Sequence, residues 1–244
     1  MEIEYIAIPL IGLLAFFVKG IIGAGTTAVM VSLSSLFLDP KSTVVLSSFV
    51  NMFGGFMMLR MDPLRLRTAY WLPIAAMMTV GSIMGAALLK IVPGDTFKTV
   101  LGLTFFLSSW WFLLRASEKT RNTGAPPGAA GGKDLGVGTF AGFCGGFIGI
   151  NSPPLVLYFG RRLNKRNLRQ LLVIIFIPAA FSQTATFAVN GLLTPKIIFL
   201  GLLTLPTLYL GIRLGNRTFE SVSDAWFRRL MGILLIVLSI RMLL

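Results

Sequence analysis

The sequence predicts an all-helical protein that crosses the membrane several times and consists of two inverted repeats. Apolar residues make up 55% of the chain and charged residues 13%, and the mean hydropathy is +0.82. A soluble domain carries roughly 25% charged residues, whereas here apolar runs follow one another along the whole length. The two further observations behind the prediction are a repeated glycine-rich interruption and a regular alternation of basic loops.

Ten apolar segments follow in order, five in each half. They lie at 4–18, 24–38, 43–59, 68–89 and 97–114, and then at 135–145, 152–160, 170–189, 196–212 and 227–243. A spanning helix needs about 20 residues, and the first two segments of each half are shorter. Each of these pairs is therefore predicted to form a re-entrant helical hairpin. The predicted units are a first repeat at 1–117, a Gly/Pro-rich cytoplasmic linker at 118–134 and a second repeat at 135–244.

Two glycine-rich breaks separate the arms of these hairpins, at residues 20–26 (GIIGAGT) and 146–152 (GFIGINS). Gly20 and Gly146 are 126 residues apart, and the same offset superimposes Gly85 on Gly211. Irregular backbone survives at membrane depth only beside a cavity or inside protein. We therefore expect each break to form a hairpin tip near the middle of the membrane.

The basic residues alternate from loop to loop. Sixteen of the 22 Lys and Arg residues lie in the loops 60–67, 115–134, 160–169 and 213–229, and the intervening loops hold only Lys41, Lys90, Lys98 and Lys196. The positive-inside rule places the first set in the cytoplasm, in a bacterial inner membrane. With five segments per half, the second repeat is then inverted relative to the first. Because the charges are scattered over short loops, a nucleic-acid partner is not expected.

A new helix is predicted to begin after each break, near Thr26 and near Ser152. The first turn of a helix exposes unpaired N–H groups and the positive end of the helix dipole. Two such ends facing each other form a site for a small anion, which glycines let the backbone approach closely. The predicted substrate-binding residues are Lys19, Gly23, Gly25, Thr26, Thr27, Gly149, Asn151 and Ser152.

Individual side chains in this set have expected roles and plainer alternatives. Thr26 and Ser152 coincide under the offset and would donate hydroxyl hydrogen bonds, or else bond their own backbone as capping residues. Asn151 would add an amide and adopt the left-handed conformation expected of its counterpart Gly25. Lys19 would supply a positive charge, or else extend to the membrane surface. The glycines could instead be packing contacts between helices.

Other polar residues at membrane depth are few. Asn51 and Gln183 could bridge helices or line a pathway, and Arg213 could anchor a helix at the cytoplasmic boundary or line the exit. All nine carboxylates fall in loops or at segment ends, and the chain has no histidine. The sequence therefore indicates no proton or sodium site, no metal or cofactor, and no hydrolytic enzyme.

The arrangement resembles the sulfite exporter TauE/SafE family of membrane permeases. The family carries a Gly-x-Gly-Gly type motif early in each half, the second usually followed by prolines; the breaks at 20–26 and 146–154 match it, as do 81–85 and 205–211. Thr26 stands where the family's first motif has its last glycine, and Asn151 and Ser152 stand where the second motif has a pair of glycines. The resemblance implies transport, often export, of sulfite or small organosulfonates.

From these observations we expect a carrier for a small oxyanion. A passive anion channel and a non-transporting binding or assembly subunit are the alternatives. The expected partners are the anion and the lipid bilayer, with a homo-oligomer left open. Export fits an anion, because an inside-negative potential contributes about 2.3 kcal/mol per charge per 100 mV toward efflux.

Overall fold

The computed structural model describes residues 3–61, 64–114, 128–160 and 162–218. These ranges contain nine helices and no strand. The helices are α1 (Glu4–Ile22), α2 (Thr26–Ser34), α3 (Pro40–Met61), α4 (Thr68–Ile91), α5 (Gly94–Leu114), α6 (Gly132–Ile148), α7 (Ser152–Phe159), α8 (Lys165–Val189) and α9 (Pro195–Arg217). The tenth predicted segment, 227–243, and residues 118–127 of the predicted linker lie outside the described residues.

Five helices are long and apolar enough to cross a membrane: Glu4–Ile21 of α1, α3, α4, Arg166–Val189 of α8, and α9. Large apolar side chains such as Leu10, Met84 and Leu210 are exposed on these helices. Exposed apolar surface of this kind suits contact with lipid tails. The predicted all-helical, multi-pass membrane fold is thus confirmed for the described part of the chain.

The first arm of each hairpin is longer than predicted. Helices α1 and α6 contain 19 and 17 residues, whereas the sequence segments 4–18 and 135–145 suggested 15 and 11. The helices continue through Gly20 and Gly146 and end at Gly23 and Gly149, whose N–H groups bond back to Lys19 and Gly145. The second arms, α2 and α7, are only 9 and 8 residues long, about 14 and 12 Å.

Close packing explains why Gly20 and Gly146 lie inside helices. Helix α1 packs against α9, and α6 against α4. A Cβ atom at Gly20 would lie 2.8 Å from the carbonyl oxygen of Ile212, and one at Gly146 would collide with the carbonyl of Ser82. At these two glycines the packing interpretation applies, because small residues let membrane helices approach closely.

The same offset relates the partner helices. A Cβ atom at Gly211 of α9 would lie 2.6 Å from the carbonyl oxygen of Leu13, and one at Gly85 of α4 would collide with that of Phe143. Gly85 and Gly211 are 126 residues apart. The α1–α9 and α4–α6 interfaces therefore use corresponding glycines. Helices α3 and α8 pack against each other in the centre.

Hydrogen bonds between connections define one end of the helix bundle. The backbone N–H of Arg65, between α3 and α4, donates to the side chain of Gln170 in α8. Arg169 donates to Asn216 near the end of α9. We call this the basic end; it carries Arg65, Arg67, Arg162, Arg166, Arg169 and Arg217.

Ion pairs and hydrogen bonds also show where the helices begin. Lys196, at the start of α9, pairs with Glu4, at the start of α1, with 2.6 Å between Nζ and Oε1. Lys41, at the start of α3, donates to the carbonyl of Val92, just after α4. Helices α1 and α3 therefore both begin at the end opposite the basic end. Helices α6 and α8 both begin at the basic end.

Candidate functional site

A polar cavity lies between the two glycine breaks and the helices α3 and α8. The space between its atoms, including space open to solvent, is about 370 Å³. The lining residues are Ala24, Gly25, Thr26, Thr27, Ser48, Asn51, Gly149, Asn151, Phe176, Ala180 and Gln183. Seven of them are residues that the sequence singled out, five for binding and two, Asn51 and Gln183, for a pathway.

The first break reverses the chain through two left-handed glycines. Gly23 has φ +82° and Gly25 has φ +90°, a conformation that costs other residues roughly 1–2 kcal/mol. Helix α2 then begins at Thr26, as predicted, and the Thr26 side chain is buried. The first turn of α2 therefore starts at the cavity wall.

The second break needs only one left-handed residue. Gly149 has φ +77°, whereas Asn151 lies in the right-handed region at φ −108° and ψ −17°. The expectation that Asn151 would share a left-handed conformation with Gly25 is wrong, because Gly149 alone reverses the chain here. Asn151 instead forms the N-cap of α7, which begins at Ser152 as predicted.

The two tips approach the cavity differently. A Cβ atom at Gly23 would lie 2.9 Å from Cγ of Arg169, so this glycine faces α8 at the basic end and not the cavity. A Cβ atom at Gly149 would lie 2.9 Å from Cγ2 of Thr27. The second tip thus packs directly against the first turn of α2, and the two breaks adjoin across the cavity.

Lys19 is buried behind the cavity wall. Its side chain is 1% exposed, so it does not extend to the membrane surface. The Nζ atom lies 2.6 Å from Oδ1 of Asn51 and 5.8 Å from the ring centre of Phe16. No carboxylate pairs with Lys19 among the described residues. A buried ammonium without a counter-ion is costly. The burial of Lys19 next to a cavity-lining residue therefore indicates a role at the cavity.

Asn51 and Gln183 both bridge helices and line the cavity. The Nδ2 atom of Asn51 donates to Oγ1 of Thr27 and to Oγ of Ser47, each at 3.3 Å. Gln183 accepts a hydrogen bond from Ser48 at 2.9 Å, which joins α8 to α3. Both residues therefore bridge helices, and a role along a substrate pathway stays a prediction.

Besides Lys19 and Gly23, two more predicted residues lie away from the cavity lining. The Ser152 hydroxyl donates to Oδ1 of Asn151 at 3.4 Å and is not part of the wall. Arg213 is exposed on α9, where its guanidinium lies beside the Tyr209 ring and hydroxyl. Arg213 therefore does not line a path from this cavity.

Sequence reasoning missed Ala24, Ser48, Phe176 and Ala180. Phe176, Ala180 and Gln183 are spaced by four and three residues, which places them on one face of α8. Ser48 lies three residues before Asn51 on α3, for the same reason. Helical spacing around the two buried amides could have found these residues, although nothing in the sequence brings the two helices together.

The charge of the cavity suits an anion. No carboxylate is among its lining residues. The N-terminal end of α2 lies at its wall, with the unpaired N–H groups and positive dipole end of a helix start. Such ends bind anions in many proteins. Helix α7 reaches the wall through its N-cap residue Asn151, but Pro153 and Pro154 in its first turn have no N–H to donate.

A family model described as "Sulfite exporter TauE/SafE" matches residues 8–242 of the chain. The match covers both breaks, all the cavity-lining residues and nearly the whole sequence. Neither a curated protein nor a solved structure matches the chain.

Proposed function

The chain belongs to the sulfite exporter TauE/SafE family of membrane permeases, and from this premise we propose that it is a secondary transporter that exports a small oxyanion. Sulfite and small organosulfonates are the proposed substrates. The observation that carries this proposal is the polar cavity, whose wall contains the start of α2, the N-cap residue of α7 and no carboxylate. An anion bound there would meet hydrogen-bond donors from both breaks.

The proposed binding residues are those of the two breaks that line the cavity: Gly25, Thr26, Thr27, Gly149 and Asn151. The glycines let backbone N–H groups approach the ligand, and the hydroxyls and the amide add side-chain donors. Lys19 contributes its charge from behind Asn51. For Gly23 and Ser152, which do not line the cavity, we propose a structural role in shaping the tips.

We further propose that α1–α2 and α6–α7 are re-entrant hairpins of two inverted repeats. The starts of α1 and α3 at one end, and of α6 and α8 at the other, support this topology. The basic end is then cytoplasmic by the positive-inside rule, in a bacterial plasma membrane. The first hairpin enters from outside and the second from the cytoplasm.

The path to the cytoplasm runs between α3 and α8. A second cavity of about 230 Å³ lies toward the basic end, lined by Met58, Leu59, Arg169, Gln170 and Val173. Val173 and Phe176 follow Arg169 at helical spacing, so one face of α8 leads from the second cavity to the first. We propose for Arg169 the role at the inner mouth that the sequence suggested for Arg213.

Flux measurements on proteoliposomes test the proposed function. The purified chain should give saturable sulfite flux that shows counterflow, and a membrane potential negative on the side of the sulfite should accelerate efflux. Single-channel currents would identify a passive channel instead, and no flux of sulfite, sulfate or methanesulfonate would identify a non-transporting subunit. Uptake driven by a proton gradient at zero potential would contradict potential-driven export.

Cysteine labelling tests the topology, in a Cys144→Ser background. Single cysteines at Thr68 and Asn167 should react only with reagent on the cytoplasmic side. Single cysteines at Thr96 and Leu193 should react only from outside. If Thr68 and Asn167 reported opposite sides, the inverted repeat would be refuted.

A further inference from the structure

A chain of hydrogen-bond donors runs from Lys19 to the cavity. A lysine ammonium has three donors and no acceptor, so the Asn51 atom that faces it at 2.6 Å must be the amide oxygen. The amide nitrogen therefore faces the other way, where it donates to Oγ1 of Thr27 at 3.3 Å. The Thr27 oxygen is an acceptor in this bond, and its own hydrogen is left for the cavity that Thr27 lines.

Gln183 has the same orientation on the facing helix. Its oxygen accepts the hydrogen bond from Ser48 at 2.9 Å, and its side chain is 4% exposed. The amide nitrogen is buried and has no hydrogen-bond partner among the described residues. Leaving a buried donor unpaired is costly. An acceptor supplied by a ligand in the cavity would satisfy it.

A third amide donor lies beside that of Gln183. The oxygen of Asn151 accepts a hydrogen bond from Ser152 at 3.4 Å. A Cβ atom placed on Gly145 would lie 3.2 Å from both Nδ2 of Asn151 and Nε2 of Gln183. The two NH₂ groups thus come from different elements and lie close together beside Gly145, and both residues line the cavity.

We propose that Thr27, Asn151 and Gln183 bind the transported oxyanion as hydrogen-bond donors, and that Lys19 and Ser48 are positioning residues that turn those donors toward the cavity. This inference rests on the proposed function. It favours oxyanions whose oxygens accept several hydrogen bonds, such as a sulfonate or unprotonated sulfite, because each group assigned to the ligand is a donor.

Asn51→Asp tests the donor chain from Lys19. The carboxylate still accepts from Lys19, but it also accepts the Thr27 hydrogen and so turns it away from the cavity. Sulfite binding by the purified full chain in detergent should weaken about tenfold or more. The melting temperature should stay the same or rise, because Lys19 gains a counter-ion. Asn164→Asp is the matched control, since Asp caps α8 as well as Asn does.

Gln183→Glu tests the second donor in the same assay. It keeps the size and the acceptor of the side chain and replaces the NH₂ group by oxygen, so sulfite binding should again fall about tenfold or more. Asn167→Asp is the matched control on the same helix. It adds the same charge in the first turn of α8 and lies outside the walls of both cavities.

Two substitutions of Lys19 separate positioning from a merely structural role. Lys19→Gln keeps a donor toward Oδ1 of Asn51 but removes the charge, so it should bind sulfite about threefold more weakly than the unmodified chain. Lys19→Met removes the donor and should bind about tenfold more weakly at an unchanged melting temperature. Equal losses in the two variants would overturn the positioning role.

Three outcomes distinguish the inference from the proposed function. Weak binding by Asn51→Asp and Gln183→Glu, with both controls normal, supports it. Normal binding by these two variants overturns the donor assignment while leaving the proposed function intact. No sulfite or methanesulfonate binding by the unmodified chain overturns the proposed function and this inference with it.

Discussion

The two breaks lie 126 residues apart, at matching positions under that offset, but supply the cavity with different chemistry. The first has two left-handed glycines and follows the buried Lys19. The residue equivalent to Lys19 in the second is Gly145, 126 positions later, and the space that a side chain would fill there is bounded by Asn151 and Gln183. One side of the cavity thus contributes a positive charge and the other contributes amides. A repeated backbone can therefore build an asymmetric site when one position changes from lysine to glycine.

Valine substitutions at the left-handed glycines should cause the largest loss of folded protein. Gly149→Val strains a φ of +77° and places its side chain against Thr27, Val31 and Val44. The left-handed backbone costs roughly 1–2 kcal/mol and the overpacking roughly 1–3 kcal/mol more. We expect most of this variant to be lost from the folded, monodisperse fraction in fluorescence-detected size exclusion.

Gly23→Val tests whether the first break is equally intolerant. Its side chain would meet Arg169, including the Arg169 backbone oxygen at 3.1 Å. We expect a loss of folded protein comparable to that of Gly149→Val. Full expression of Gly23→Val with sulfite transport abolished would instead mean that Gly23 borders the ligand and that its packing against Arg169 is dispensable.

Gly145→Ala tests whether the second break needs a glycine where the first has Lys19. The added Cβ would lie 2.9 Å from Cβ of Asn151 and 3.2 Å from Nε2 of Gln183, so it displaces two proposed donors. We expect sulfite transport to fall about tenfold, as for loss of one charge-assisted hydrogen bond. Gly136→Ala on the same helix is the control, because its Cβ meets nothing within 4 Å. That variant should transport normally and gain about 0.5–1 kcal/mol of stability; equal transport by both variants would contradict the role of Gly145.

Thr26 and Ser152 coincide in the repeat and should differ in effect. Thr26 lines the cavity and is 3% exposed, whereas Ser152 lies outside the wall. Thr26→Val should weaken sulfite binding by about 0.5–1.5 kcal/mol, a typical net hydrogen bond, and Ser152→Ala should change it by less. Isothermal titration of each variant and of the double variant checks this. Equal effects of the two single substitutions would mean that the site is symmetric.

The sequence predicted the helical fold, the helix starts at Thr26 and Ser152 and most of the cavity wall, because apolar runs and glycine breaks are local signals. It could not show that Gly20 and Gly146 continue their helices, since the reason is contact with α9 and α4. It could not decide whether Lys19 lies at the site or at the membrane surface. The hydrogen bond that buries Lys19 is to Asn51, and it forms only when α1 packs near α3. The topology and the binding roles stay predictions.

Arg213→Gln should have the smallest effect and checks whether the charge asymmetry is confined to Lys19. Arg213 lies on α9, and its counterpart in the first repeat is Ala87 on α4, so it too makes the halves unequal. Its side chain is exposed and contacts Tyr209 on the same helix, where a surface substitution changes stability by roughly 0.5 kcal/mol or less. We expect unchanged sulfite affinity and transport rate in proteoliposomes. A several-fold loss of affinity would mean that charge reaches the cavity from the outer face of α9 and that Lys19 is not its principal source.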